Sequence, residues 1–500
     1  MTADERPPTA NELPDGWVWT TLGDICEPIV QVNPRETMPD RPIKYVDISS
    51  VDNEKNAIVE HKEILGSEAP SRARKPIHAN DILFATVRTY LRNVAMVPPG
   101  YDGEIASTGF CVLRPISGIE SHFIYRYLLT DEFIQRISEK QRGISYPAVT
   151  DRDVYAESIP LPPEAEQRRI VARIEALLAQ SRRGREALEG IPDLLARLRK
   201  AVLTRAFRGE LTGRDPDDEP ASVLLERIRA ERRRRWEENL RAQGKDPRRY
   251  TYEEPAPPDT SDLPELPEGW VWTSVDELSD VVRGASPRPA GDPRYFGGNI
   301  PWITVGCLTA DSHPYLYSAP TFVTEAGKEK SRYIEPETLL LTNSGATLGV
   351  PKITKMGGCI NDGIVALLHV DYPLKLYLYY CLQTLTEQLR AIKQGAAQPN
   401  LNTSIVRAIE IPLAPLAEQR RIVARIEALF AQADRLEAAV AAIRRRLEQV
   451  DQAVLARTFR GELVSQDPSD EPASVLLERI QQEQKGNRKE STHQMLLPGT

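Results

Sequence analysis

The sequence predicts an α+β protein built twice over: two mixed α/β domains separated by two long helices packed as an antiparallel coiled coil, with an internal pseudo-two-fold. Three observations carry that prediction. The string AEQRRIVARIEAL at 165–177 recurs unchanged at 417–429, and EPASVLLERI at 219–228 recurs at 471–480. Upstream, ELPDGWVWT at 12–20 returns as ELPEGWVWT at 265–273. A period this long exceeds the roughly 20 to 50 residues of a solenoid unit, so a whole domain pair has been duplicated.

The first domain is placed at 1–158. Its Trp17/Trp19 pair, like Trp270/Trp272 in the second copy, alternates as a strand does and reads as a core anchor. Short apolar runs bounded by Gly, Pro, Asn and Asp follow, among them IKYVDISSV and DILFATV, and the block closes on the amphipathic helix FIYRYLL. The first helical region, 159–212, carries a four-three apolar seam: Ile170, Ile174, Leu177, Ser181, Gly184, Leu188, Ile191, Leu195, Leu198 and Val202. Gly190 and Pro192 cost a helix interior about 1 and 3 kcal/mol relative to Ala, which predicts a break near Gly190. Residues 213–264 form a helical spacer and linker, with four arginines in a row, Arg232 to Arg235, offered to solvent or to phosphates.

The second domain spans 265–410, with IPWITVGCL, TLLLTNSGATLGV and YLYYCLQTL as counterparts of the runs above. The second helical region, 411–464, has the stronger seam: Ile422, Ile426, Leu429, Ala433, Leu436, Val440, Ile443, Leu447, Val450 and Val454. A C-terminal helix and polar tail complete the chain at 465–500. Two copies of one helix packed antiparallel carry whatever precedes them to opposite ends in inverted orientation, which suits a DNA duplex with its own local two-folds.

Composition narrows the function classes. Of 500 residues, 41% are hydrophobic and 27% charged, which excludes a disordered or collagen-like chain. The formal charge of −8 means that a polyanion must be met by local basic patches. Cys26, Cys111, Cys307, Cys359 and Cys381 are scattered, without CxxC spacing, as in a reducing cytoplasm. The start lacks an apolar export segment, and no run suits a membrane span. There is no phosphate loop, no glycine-rich dinucleotide fingerprint, no D/N-P-P-Y/F tetrapeptide and no histidine pair at metal-ligand spacing, so neither a catalytic nor a metal residue is assigned.

Polar and aromatic residues in turns are the candidate readers of a DNA partner. In the first domain these are Arg88, Tyr90, Arg92, Asn93, Arg142, Ser145 and Tyr146. In the second they are Asn343, Ser344, Thr347, Lys352, Gln394, Gln398, Asn400 and Asn402. Arginine forks onto guanine, and Asn or Gln onto adenine.

Taken together, LPDGW and LPEGW, SPRPAGDPRYFGGNIPWITVGCL at 286–308, GAAQPNLN at 395–402, IPLPPEAEQRRIVARIE, IPLAPLAEQRRIVARIE and the FRGEL segments followed by EPASVLLERI resemble the specificity (S, or HsdS) subunit of type I restriction-modification systems. The resemblance covers nearly the whole chain. It departs in the first domain, where RPIKYVDIS and QRGISYPAV stand for NIPWITVG and KQGAAQPNL. What it implies is a subunit without a catalytic centre that reads an asymmetric, bipartite double-stranded DNA site, one half per target-recognition domain, with the coiled coil setting the gap. It also implies partners: methyltransferase (M) subunits, which bind S-adenosylmethionine and methylate adenine N6, and restriction (R) subunits, which cleave with ATP and Mg. The alternatives are the recognition subunit of a two-subunit system cutting on both sides of its site, or a structural coiled-coil scaffold.

Overall fold

A computed structural model describes residues 13–143, 145–345, 347–391 and 401–494, with side chains up to Lys485 in the last helix. The chain divides into two compact units: residues 1–189 with 441–500, and residues 190–440. The units therefore cut across the linear segments, because each is closed by helical sequence that follows the other domain.

Unit 1 holds a four-stranded sheet in the order Lys62–Leu65, Pro42–Val46, Glu104–Ser107, Ala73–Ile77, with its central pair parallel and the flanking pairs antiparallel. Unit 2 repeats it as Thr321–Val323, Phe296–Ile303, Gly358–Ile360, Arg332–Ile334, with the same senses. A second, antiparallel sheet in unit 1 runs Cys26–Glu27, Phe110–Pro115, Ile82–Ala85, Val94–Met96. Its counterpart in unit 2 is Asp280–Arg283, Ile364–Leu368, Leu339–Thr342, Pro351–Thr354, with Tyr315–Leu316 added at the edge. The runs ILFA and LLLT are buried at every position, since these strands are covered on both faces and cannot alternate.

The recurring strings lock each unit together. In unit 1 the Trp17 indole donates to Glu166 Oε2 (3.0 Å), Arg169 pairs with Asp470 (2.6 Å), and the Ala473 amide donates to the Gly16 carbonyl (2.9 Å). Unit 2 repeats all three contacts: Trp270 to Glu418 (2.9 Å), Arg421 with Asp218, and Ala221 to Gly269 (2.8 Å). LPxGW, AEQRR and DEPAS are thus one interlock written in three places. Its outer tryptophans do not share the anchoring role: Trp19 is exposed and Trp272 only half-buried.

One helix spans Glu164–Glu189, another Ile191–Ala206, and the break falls at Gly190. The second-copy helix is unbroken over Leu416–Thr458, 43 residues and so about 65 Å at 1.5 Å per residue. Helix packing is antiparallel inside each unit. In unit 1 Arg185 pairs with Asp451 (2.7 Å) and Arg444 donates to the Leu188 carbonyl (3.2 Å). In unit 2 Arg199 meets Asp434 (2.6 Å) and Glu437 (2.9 Å), while Val202 and Ala206 share a core with Ile422 and Ile426.

The seam is narrower than the sequence suggests. Ile170, Ile174, Leu195, Val202, Ile422, Ile426 and Val440 are buried, and Leu177, Leu188, Ile191, Leu429, Leu447 and Val454 are half-buried. Leu198, Leu436, Ile443 and Val450, however, are between 42% and 55% exposed. A helix of 3.6 residues per turn drifts about 20° per heptad from a strict 3.5 repeat, so the buried stripe shifts to Leu178, Leu203 and Leu455. The helix ends also pack onto the domains: Phe459 lies 5.1 Å from Phe123 and 5.0 Å from Tyr127, and Phe207 lies 5.1 Å from Tyr377.

Candidate nucleic-acid interface

In unit 1 the strand Ile82–Ala85 emerges into a tight loop. Arg88 and Arg92 flank a short helical turn, Thr89–Leu91, and both adopt left-handed backbone angles (φ 51° and 56°), uncommon for residues other than Gly, Asn or Asp. Local bonds hold this conformation. The Arg88 amide donates to the Pro147 carbonyl (2.8 Å), Gln141 donates to Thr89 Oγ1 (2.7 Å), and Asn53 and Asn56 donate to the Leu91 and Arg92 carbonyls (3.1 and 2.9 Å).

Bridges from Ala148 to Val87 and to Arg142 bring these residues alongside the loop. The Arg88 guanidinium lies 5.2 Å from the Tyr146 ring centroid. Arg88, Tyr90, Arg142, Ser145 and Tyr146 are exposed, the last by 72%, so five of the seven expected readers share this loop pair and face solvent. The other two are half-buried. Arg92 pairs with Asp131 and donates to the Leu129 carbonyl (3.3 Å), and the Asn93 carbonyl accepts from the Ala85 amide (3.0 Å). Arg142, at 3.8 Å from Asp153, is barely restrained.

Unit 2 differs. Asn343 is 0% exposed and Lys352 2%. The Lys352 ammonium donates to Asp311 Oδ1 (2.6 Å), to the Asp311 carbonyl (2.9 Å) and to the His313 carbonyl, so all three of its donors are used. This ammonium in turn holds the Asp311 carboxyl below its ordinary value. Lys352 is therefore not free to meet DNA, because the strand Pro351–Thr354 is buried throughout. Asn402 is exposed but caps the helix Thr403–Arg407, its Oδ1 accepting from the Ile405 amide (2.9 Å). Ser344 and Thr347 are half-buried at the end of the strand Leu339–Thr342, and the Thr347 carbonyl accepts from Thr342 Oγ1 (2.6 Å). Gln394, Gln398 and Asn400 lie outside the described residues.

Sequence reasoning missed the surroundings of this strand end. Asp362 accepts from Ser286 Oγ (2.6 Å) and lies 3.6 Å from the Arg288 guanidinium, while Arg283 donates to its carbonyl (2.9 Å). The 286–308 string had marked the stretch, but Asn361-Asp362-Gly363 reads only as a turn. The arginine run lies among carboxylates: Arg232 meets Asp280 (3.1 Å), Arg233 meets Glu237 (3.8 Å), Arg234 meets Glu231 (2.6 Å), and Arg235 meets Glu231 (3.8 Å). Among the described residues, no group of three or more His, Cys, Asp or Glu could hold a metal ion, and no helix is long and apolar enough to cross a membrane.

The family model described as type I restriction modification DNA specificity domain matches this chain twice, at 14–189 and 267–443. The EcoDI specificity subunit of Escherichia coli is 28% identical over 397 residues, covering 76% of this chain and 81% of that protein. The EcoBI specificity subunit, also of Escherichia coli, is 25% identical over 449 residues, covering 81% and 85%. A chain from a type I R-M system solved for its complex assembly and conformational transition aligns with a TM-score of 0.67 at 32% identity, covering 90% of this chain and 99% of that one. The HsdS subunit from Thermoanaerobacter tengcongensis aligns with a TM-score of 0.54, also at 32% identity, covering 90% and 98%.

Proposed function

Because this chain belongs to the type I restriction-modification DNA specificity family, whose members are non-catalytic DNA-recognition subunits working with partner subunits, we propose that its two domains read the two halves of an asymmetric, bipartite site. One observation carries this reading: two domains that share two four-stranded arrangements present different side chains at the same strand end. Arg88 and Tyr146 stand after Ile82–Ala85, and Ser344 and Thr347 after Leu339–Thr342. A shared frame with unlike surfaces is what two unlike half-sites require, since base edges are told apart by a few polar side chains.

In the first half-site Arg88, Tyr90, Arg142, Ser145 and Tyr146 are the reading groups, with Arg92 and Asn93 shaping their loop. In the second, the proposed readers are Asn343, Ser344, Thr347 and Asn402, with Gln394, Gln398 and Asn400, which lie outside the described residues. The antiparallel helices act as a ruler that sets the unread gap between half-sites. The recurring helical strings dock methyltransferase subunits. Those partners supply S-adenosylmethionine and methylate adenine N6, restriction subunits add ATP- and Mg-dependent cleavage, and the assembly works in the cytoplasm.

The test is methylation mapping of genomic DNA from cells carrying the modification subunits with and without this chain. A single split motif with a constant gap, methylated only when the chain is present, is the expected result. Methylation independent of the chain refutes the proposal.

A further inference from the structure

The two units share one junction and fill it with different side chains. In unit 1 the Thr86 amide donates to the Gly109 carbonyl (2.9 Å) and the Thr86 carbonyl accepts from the Val149 amide (2.9 Å). In unit 2 the Asn343 amide donates to the Gly363 carbonyl (2.9 Å) and the Asn343 carbonyl accepts from the Leu401 amide (2.8 Å). Thr86 and Asn343 are therefore equivalent, and so are Ser107 and Asn361, each two residues before its glycine.

Unit 1 satisfies both side chains internally. Thr86 Oγ1 donates to the Gly109 carbonyl (3.0 Å), and Ser107 Oγ accepts from the Gly109 amide (3.1 Å). Unit 2 has carboxamides at both places. Asn343 Nδ2, Asn343 Oδ1 and Asn361 Oδ1 are all sealed from solvent and, among the described residues, without a partner. Native proteins keep such atoms rare, because an unmet buried donor or acceptor costs its full desolvation and an apolar side chain of the same shape does not. Two adjoining exceptions at the loop-bearing end of a sheet point to a group that is met only in a complex.

Geometry narrows what that group is. Asn361 as a whole is half-buried while its Oδ1 is sealed, so the side chain has to turn outward for both amide atoms to meet a base edge. A Cβ on Gly363 would stand 3.0 Å from Ser344 Oγ and 3.4 Å from Asn361 Nδ2, so glycine lets these groups converge. The neighbouring Asp362 is committed to Ser286 and Arg288. A carboxamide offers one acceptor and one donor side by side, the complement of adenine N6 and N7 in the major groove.

We infer that Asn361 is a base-reading residue directed at an adenine edge in the half-site of unit 2, and that Asn343, buried at the same strand end, is its positioning residue. The inference rests on the reading of this chain as a two-domain DNA reader. It assigns no such role to Ser107 or Thr86, whose side chains are already spent.

The experiment uses the assembled complex of this chain with its methyltransferase subunits. Duplexes carrying the mapped site are varied one base pair at a time, and methylation kcat/KM is compared for wild type, Asn361→Ala, Asn343→Thr and Asn343→Leu. Asn343→Thr installs the residue of unit 1, whose hydroxyl finds a carbonyl, and Asn343→Leu keeps the shape without polar atoms, so folding is retained. The expected result is a loss of about tenfold or more in discrimination at one A·T pair of one half-site, the scale of a single bidentate contact, with every other position unchanged and the melting temperature no lower than that of wild type. Unchanged discrimination at every position overturns the inference, and so does a uniform loss across both half-sites. A wild-type complex without any sequence preference instead overturns the two-domain reading beneath it.

Discussion

The strand end of unit 1 is cationic and aromatic, with its left-handed arginines pinned by local bonds, whereas the matching strand end of unit 2 is built from carboxamides and hydroxyls over sealed, unmatched atoms. The strands beneath share order and sense, apart from the edge strand Tyr315–Leu316 added in unit 2. The difference teaches that the frame and the reading surface are separable. The Trp–Glu, Arg–Asp and amide–carbonyl interlock is the same in both units and uses none of the side chains at the strand ends, which are free to diverge.

The largest way to break the comparison is to lengthen what the two readers have in common. Inserting one heptad into 184–198 and 436–450 together should abolish methylation of the original site and move it to one with a wider gap. Persistence of the original gap in methylation mapping would show that the helices are not a ruler.

Next comes the interlock itself. Trp17→Ala and Trp270→Ala each empty a buried anchor, and large aromatic deletions of this kind cost about 3 to 5 kcal/mol. Urea unfolding should report similar losses for the two variants, because the two locks are alike. A cost in one variant alone would mean that they are not.

Smaller effects sharpen the reading surfaces. Arg88→Ala should weaken cognate binding by about 1 to 3 kcal/mol and relax only the half-site read by unit 1. Titration with duplexes altered in each half would detect a uniform loss, which would make Arg88 a phosphate contact instead.

The smallest effect is electrostatic. Burial raises the Glu166 carboxyl above its ordinary value, against the opposing pull of the Trp17 indole. The folded state thus holds this proton more tightly than the unfolded chain. The associated stability is fully present below the ordinary glutamate range and is lost as pH rises through the folded value. Glu166→Gln keeps an acceptor for Trp17 and should flatten this part of the melting temperature against pH. An unchanged slope in a pH series would remove Glu166 from the account.

Much of this was legible in the sequence because it depends on repetition and periodicity. The recurring strings gave away the duplication, the glycine at 190 marked where one helix stops and the next begins, and turn composition located the Arg88 and Tyr146 loops. Other features depend on tertiary packing, which local patterns do not encode. Lys352 looks like a surface cation and is instead a buried strand residue with every donor used. Leu436, Ile443 and Val450 fit a heptad register and yet face outward. The exchange of closing segments, with Asp218 completing unit 2 and Asp470 completing unit 1, depends on partners some 200 to 300 residues apart. Asn361 was hidden by its own turn, since NDG is common wherever a chain reverses.

The central claim is that two independent readers sit on one frame, and exchanging a single reader tests it most directly. Residues 280–410 are replaced by the corresponding block of another family member, and the methylated motif of the assembled complex is mapped. The account predicts one new half-site, one retained half-site and an unaltered gap. Changes in both half-sites would contradict it.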